Sequence, residues 1–340
     1  ITWWEEASAP TAVSATEVLK TPGMVIKSEG DSAEISAQDK SFFSEFKGKT
    51  LLYNSSETKA QKGKTAIVVP QGADLTKPYE LIYFLHGLQG DSPGETLWRG
   101  MGFRKKIQES LYEMVHKQKR NIVYVTTQLN VYSKIGVKKA TFGSDSGATF
   151  ADFHKEVVDK IKNTDLKKGL GATANPKFIN IKSFSGGGYS LAGLVEQLSS
   201  NTIGSTKLKR IDYLDSSYSF AIDPVFEKIF VNNKSGFNPG KDLEIHIYTP
   251  KEAETLTVVK PNIKRFISQN PCDPKGLPGG KQFNGCKDIQ PPPADNLTKL
   301  EGLYLDLNTA GGHYGPLEKR FGTPSLLESG KVDGIPIKAP

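Results

Sequence analysis

Two rhythms of apolar and polar positions run along this chain, and the places where they change mark its elements. From residue 50 onwards, short apolar runs rich in β-branched and aromatic residues recur. They are Thr50-Leu51-Leu52-Tyr53, Thr65-Ala66-Ile67-Val68-Val69, Glu80 to Leu85, Asn121 to Thr126, Phe178 to Ser183, Arg210 to Leu214, Leu243 to Tyr248 and Leu303 to Leu307. Each is too short for a stable helix, so each predicts a strand. The run from Glu80 to Leu85 is almost continuously apolar, as a strand buried on both faces requires. Between the later runs the period lengthens to that of a helix. Trp98, Ile107, Leu111, Met114 and Val115 form one stripe, and Phe150, Phe153, Val157, Val158 and Ile161 a second. Leu191, Ala192, Leu194, Val195 and Leu198 form a third, and a fourth stretch from Glu254 to Ser268 is interrupted by Pro261. Strands alternating with helices predict an α/β fold: a mostly parallel eight-stranded sheet with helices on both faces. Residues 1–48 read as a polar extension, pinned by Trp3-Trp4 and by Phe42, Phe43 and Phe46. The main domain is expected over residues 49–325, with a loop-rich insert at about 269–297 and a tail over 326–340.

One junction between the two rhythms is unusually sharp. Phe178 to Ser183 is strand-like, Leu191 onwards is helical, and Phe184-Ser185-Gly186-Gly187-Gly188-Tyr189-Ser190 lies between. A strand, a small-residue turn and a helix with serine at the apex is the layout of a nucleophile elbow. The strained turn demands small residues two before and two after the nucleophile. Here they are Ser183 and Gly187; glycine is commoner at the first position, so Ser183 is a departure. A phosphate cradle on the helix N-terminus would carry Gly-Lys-Ser/Thr, which is absent.

Functional groups of open α/β sheets gather at the carboxyl ends of strands. Four such ends carry candidates: His86-Gly87, Ser185, Asp215 and His313. With this strand order and these four positions, the chain from about Thr50 to Phe321 resembles the α/β-hydrolase superfamily. The resemblance implies a triad in the chain order nucleophile, acid, histidine, which Ser185, an acid and His313 match. Of the five histidines, His116 and His154 fall within helical patterns and His246 lies mid-strand beside Glu244 and Tyr248. His86 sits in a segment that resembles the oxyanion-hole loop, whose N–H would come from Leu88 or Gln89, with Gly186 supplying the other. His313 alone follows the last strand, in a Gly-flanked loop. For the acid, Asp215 closes a strand abruptly and is favoured. Glu252 and Glu254 follow the seventh strand, where most of the superfamily keeps its acid, and stand as alternatives. The implied activity is hydrolysis of a small-molecule or polymer-borne ester. An amidase or peptidase on the same triad is the near rival. A hydrolase-like protein that binds an anionic envelope polymer without turnover is the rival from another class.

Composition narrows the setting. The 340 residues are 37% hydrophobic and 24% charged, an ordinary globular balance, and no apolar run approaches a membrane span. The net charge of +7 is scattered in short clusters such as Arg104-Lys105-Lys106, without a basic stripe, which argues against nucleic acid. A generally basic surface favours a cell-envelope or anionic-polymer setting. Cys272 and Cys286 close a Pro/Gly-rich loop and predict a disulfide in an oxidising compartment. The chain begins at Ile1, compatible with a removed secretory signal, so a secreted or periplasmic location is expected. No metal or organic cofactor is expected, because neither His-Glu-x-x-His nor a strand-linked dinucleotide fingerprint is present.

Overall fold

Every one of the eight apolar runs becomes a strand in the computed structural model. It describes residues 22–30, 35, 37–60, 63–87, 104–131, 135–165, 169–216, 222, 224–225, 228–229, 236–250 and 302–324. The eight are β2 (Gly48–Asn54), β3 (Lys64–Pro70), β4 (Tyr79–Leu85), β5 (Ile122–Thr127), β6 (Pro176–Phe184), β8 (Thr206–Leu214), β9 (Glu244–Pro250) and β10 (Leu303–Thr309). Two more complete a sheet of ten: β1 (Met24–Lys27), and β7 (Thr202–Ile203), which hairpins onto β8. The expected count of eight is therefore two short. Met-Val-Ile-Lys is brief and partly exposed, so it has no alternation to read, and β7 is only two residues long.

The strand order is β1-β2-β3-β5-β4-β6-β8-β9-β10. β3 runs antiparallel to both β2 and β5, and β7 to β8; every other pairing is parallel. The fold is thus α/β, built on a mostly parallel sheet. Parallel neighbours need crossovers, and helices supply them. The described helices are α1 (Ala37–Ser44), α2 (Arg104–Tyr112), α3 (Phe150–Lys162), α4 (Gly187–Gln197) and α5 (Gly315–Arg320), with a single turn at Gly136–Lys139. α2 widens into a π-helical turn over Glu113–Lys117. Thr149 caps α3 by accepting from the Asp152 N–H, satisfying a donor that the first turn leaves open.

After Glu80, β4 is apolar on both faces, which is why it reads as a continuous run. Leu81, Tyr83 and Leu85 pack on one side with Phe153 and Val157 of α3 and Leu191 and Leu194 of α4. Ile82 and Phe84 face the other side, with Ile107, Leu111, Met114, Leu317 and Phe321. Phe42, Phe43 and Phe46 are buried in this second layer, and Phe46 stacks on Tyr124 at 6.0 Å. Burying each such ring contributes about 2–3 kcal/mol, enough to hold the segment before β2 against the sheet. No helix among the described residues is long and apolar enough to cross a membrane. Trp98, Glu254 to Ser268, the 269–297 segment, Cys272 and Cys286 lie outside the described residues.

Candidate active site

β6 ends at Phe184 and α4 begins at Gly187, leaving two residues to reverse the chain. Ser185 takes a left-handed backbone, with φ at 49°. A non-glycine residue there costs about 1–3 kcal/mol and persists only where its surroundings over-determine it. They do. The Ser185 N–H donates to Leu214 O at 3.3 Å, and its carbonyl accepts from the Gly188 N–H at 3.2 Å. A Cβ on Gly187 would stand 2.2 Å from Leu85 O, so only glycine lets the helix start this close to β4. A Cβ on Gly87 would come within 3.0 Å of Ser185 Cβ, so the chain leaving β4 passes directly against the serine.

The next strand end repeats the device. β8 stops at Leu214, and Asp215 also has φ at 49°, its N–H donating to Tyr248 O at 2.8 Å. Its side chain is 1% exposed, and Oδ2 lies 2.5 Å from Nδ1 of His313. His313 sits in a 3-10 turn, Gly312–Tyr314, just past β10, where Gly311 turns the chain at φ 111°. The carboxylate can only accept, so Nδ1 carries a proton, and in the neutral ring the lone pair is on Nε2. Among the described residues neither Nε2 of His313 nor Oδ1 of Asp215 has a hydrogen-bond partner. The imidazole is 40% exposed and packs on Phe184, the residue before Ser185, with ring centres 4.8 Å apart. Asp215 and His313 are thereby brought together beside the elbow. Ser185 Oγ makes no hydrogen bond to His313 or to any other described residue.

The other histidines are committed elsewhere. His86 is buried; its Nε2 accepts from the Leu129 N–H at 2.9 Å, so Nδ1 carries the proton and donates to Gly87 O at 2.7 Å. Burial pushes its pKa down to about 4. It braces the loop against the serine and has no base to offer. His154 lies buried between the hydroxyls of Tyr83 and Thr206. His246 is held on both nitrogens, by Glu244 at 2.7 Å and Tyr248 at 2.8 Å. His116 stacks on Tyr112 at 4.5 Å on the flank of the sheet. Gly186 is buried at the N-cap of α4. Leu88 and Gln89, and the alternative acids Glu252 and Glu254, lie outside the described residues.

Two features were not singled out from sequence. The first is a hydroxyl pair: Ser183 Oγ lies 2.6 Å from Oγ of Ser216, the residue after Asp215. The Ser-Ser-Tyr after Asp215 gave no periodic signal, and only the departure at Ser183 hinted at it. The second is a buried charge cluster on the Phe184 face of the sheet. Lys182 pairs with Asp212, and Arg210 Nε donates to the same carboxylate at 2.6 Å. Burial opposes ionisation of Asp212, but Arg210 and Lys182 together outweigh it and hold the carboxyl well below its usual range. One carboxylate cannot balance two cations, and burial, with Arg210 nearby, pushes Lys182 down to about 8. A lysine in a central strand was the available signal. Among the described residues no group of three or more His, Cys, Asp or Glu side chains could hold a metal ion.

Comparison with known proteins adds the following. No family model matches the chain, and no curated protein does. Among solved structures, the chain is similar to a mutant of the feruloyl esterase module from Clostridium thermocellum complexed with sinapinate. The identity is 13% and the TM-score 0.44, over 79% of this chain and 83% of that one. It is also similar to an alpha-beta serine hydrolase homologue from Coxiella burnetii, at 10% identity and TM-score 0.37, over 79% and 90%. A ferulic acid esterase from Anaeromyces mucronatus, in complex with ferulic acid, gives 11% and 0.40 over 82% and 89%. These are likenesses of chain course, and the chemistry is read from this chain's own side chains.

Proposed function

We propose that the chain is a serine hydrolase that cleaves an ester by acyl transfer to water. The observation that carries this reading is the Asp215–His313 pair, joined at 2.5 Å, its ring packed on Phe184, the residue before the left-handed Ser185. In the proposed cycle Ser185 Oγ attacks the ester carbonyl while His313 Nε2 takes its proton. Asp215 fixes the tautomer and stabilises the imidazolium that forms. His313 then returns the proton to the departing alcohol, and water repeats the sequence on the acyl-enzyme. The developing oxyanion would be met by the Gly186 N–H at the start of α4, helped by the helix dipole. A second N–H would come from Leu88 or Gln89 in the loop that His86 braces. Ester is preferred over amide because an alkoxide needs less protonation assistance to leave than an amine does. The secreted or periplasmic setting belongs to the same proposal and rests on Cys272 and Cys286.

A fluorophosphonate probe should label wild-type protein at Ser185. Ser185→Ala should abolish labelling and reduce hydrolysis of short p-nitrophenyl esters to background, with the melting temperature nearly unchanged. Undiminished turnover in that variant would sink the assignment.

A further inference from the structure

The two residues that break the left-handed rule at the site, Ser185 and Asp215, end adjacent parallel strands, β6 and β8. Each has a serine close by in sequence: Ser183 lies two before Ser185, and Ser216 directly follows Asp215. Those serines meet, both fully buried. Ser183 Oγ is 2.6 Å from Ser216 Oγ, and the Ser216 hydroxyl reaches Ser183 O at 3.0 Å. Each hydroxyl has one proton, and both contacts are served if Ser183 donates to Ser216 Oγ while Ser216 donates to the Ser183 carbonyl. The result is a closed ring of two hydrogen bonds between the strand that carries the nucleophile and the turn that carries the acid. The Ser183 hydroxyl also lies 3.3 Å from Asp212 O, a longer alternative to the same partner strand.

We propose that Ser183 and Ser216 are positioning residues that lock the Asp215 turn, so that its carboxylate stays against His313. The inference rests on the triad reading above. Its physical ground is the strain at Asp215. A left-handed aspartate relaxes towards the right-handed or extended regions unless its neighbours forbid it. On the N-terminal side β8 is fixed by the sheet. At Asp215 itself the backbone bond to Tyr248 O restrains the turn. On the C-terminal side, among the described residues, the Ser216 hydroxyl ties this turn to the elbow strand. A glycine at position 183 would satisfy the steric demand of the elbow but supply no hydroxyl. The departure at Ser183 is thus where the two halves of the site are joined. Neither serine touches substrate in this scheme; both act through Asp215 and His313.

The test compares wild type with Ser216→Ala and Ser183→Gly. The readout specific to the lock is the far-downfield proton resonance of His313 Nδ1–H, assigned by its disappearance in His313→Gln. It reports the bond to Asp215 whether or not the protein turns over a substrate. In both variants this resonance should move upfield and broaden through exchange with water. On p-nitrophenyl acetate, kcat should fall about tenfold with KM within about twofold, as expected for a lost buried hydrogen bond that acts on the reacting base. Ser183→Gly keeps the elbow's sterics and serves if Ser216→Ala does not fold. An unmoved resonance in a folded variant overturns the lock. An unlabelled Ser185 in wild type counts against the hydrolase reading instead, and the resonance alone then decides the lock.

Discussion

Two carboxylate–imidazole pairs stand among the described residues, and they have opposite fates. Glu244 and His246 meet at 2.7 Å within β9, which Glu244 opens; Asp215 and His313 meet at 2.5 Å beyond the strand ends. In the first pair both ring nitrogens are engaged, because Tyr248 takes the one that Glu244 leaves. Burial, reinforced by the charge of Arg210, pushes His246 down to about 4, so it is neutral at pH 7 with no lone pair to spare. In the second pair only Nδ1 is engaged, and the ring is part exposed with Nε2 open among the described residues. A carboxylate beside a histidine therefore does not make a base. The proposed general base needs an open nitrogen, and strand position decides which ring has one. A mid-strand ring is surrounded by its sheet neighbours, whereas a ring on the loop after β10 has one side free.

The largest expected difference between the pairs is catalytic. Asp215→Asn should leave the fold intact and lower ester hydrolysis by as much as about ten-thousand-fold, because the amide favours the wrong imidazole tautomer. Steady-state kinetics beside a thermal melt check this. A loss below tenfold would place the orienting acid elsewhere.

The buried rings should dominate the acid side of the stability curve. His86, His154 and His246 are each pushed by burial from 6.5 to about 4. Between those values the unfolded chain binds protons at these three positions that the folded chain does not. Stability from this source is complete above pH 6.5 and is lost as pH falls towards 4. Each ring contributes a slope of up to about 1.4 kcal/mol per pH unit. Urea midpoints at pH 7, 5.5 and 4.5 should fall steeply in sequence, and a flat series would mean these rings are not buried neutral.

Glu244→Gln sharpens the contrast from the other side. It removes a fully buried charged acceptor from His246 and should destabilise by about 1–3 kcal/mol. Hydrolysis by the folded fraction should stay within about twofold of wild type. A loss on the scale expected for Asp215→Asn would show that the mid-sheet pair communicates with the rim.

Much of this frame is legible in sequence because the strands are carried by short, mostly apolar runs. Eight runs stand out, and the abrupt stops at Ser185 and Asp215 fall on two of the five left-handed non-glycine residues among those described. β1 and β7 are not legible: a four-residue edge strand and a two-residue hairpin arm have no periodicity to detect. His313 could be separated from His86, His154 and His246 by position, but the reason is invisible in one dimension. It lies in which ring nitrogens are already taken. Lys182 and Arg210 sit in strands without an apparent reason until Asp212, on the neighbouring strand for one and two residues away for the other, is seen between them. The Ser183–Ser216 contact joins residues 33 positions apart, and no local pattern foretells it.

The smallest effects are expected at Glu252 and Glu254, the alternative acids after β9. A triad histidine offers one Nδ1 proton, and that of His313 is already 2.5 Å from Asp215 Oδ2. A second carboxylate would have to displace Asp215, whose side chain is 1% exposed and whose backbone is anchored to Tyr248 O. Moving it out would leave a buried anion without its partner, at a cost of several kcal/mol. An acid from the segment after Pro250 would have to overcome that cost before it gained a hydrogen bond. Glu252→Gln and Glu254→Gln should accordingly change kcat/KM by less than tenfold, corresponding to less than about 1.4 kcal/mol in the barrier. If neither orients His313, the double variant should equal the product of the singles. The decisive measurement is each glutamine change made in the Asp215→Asn background. If a glutamate replaces the aspartate when it is lost, the residual rate falls again. If Asp215 is the sole orienting acid, the residual rate does not move.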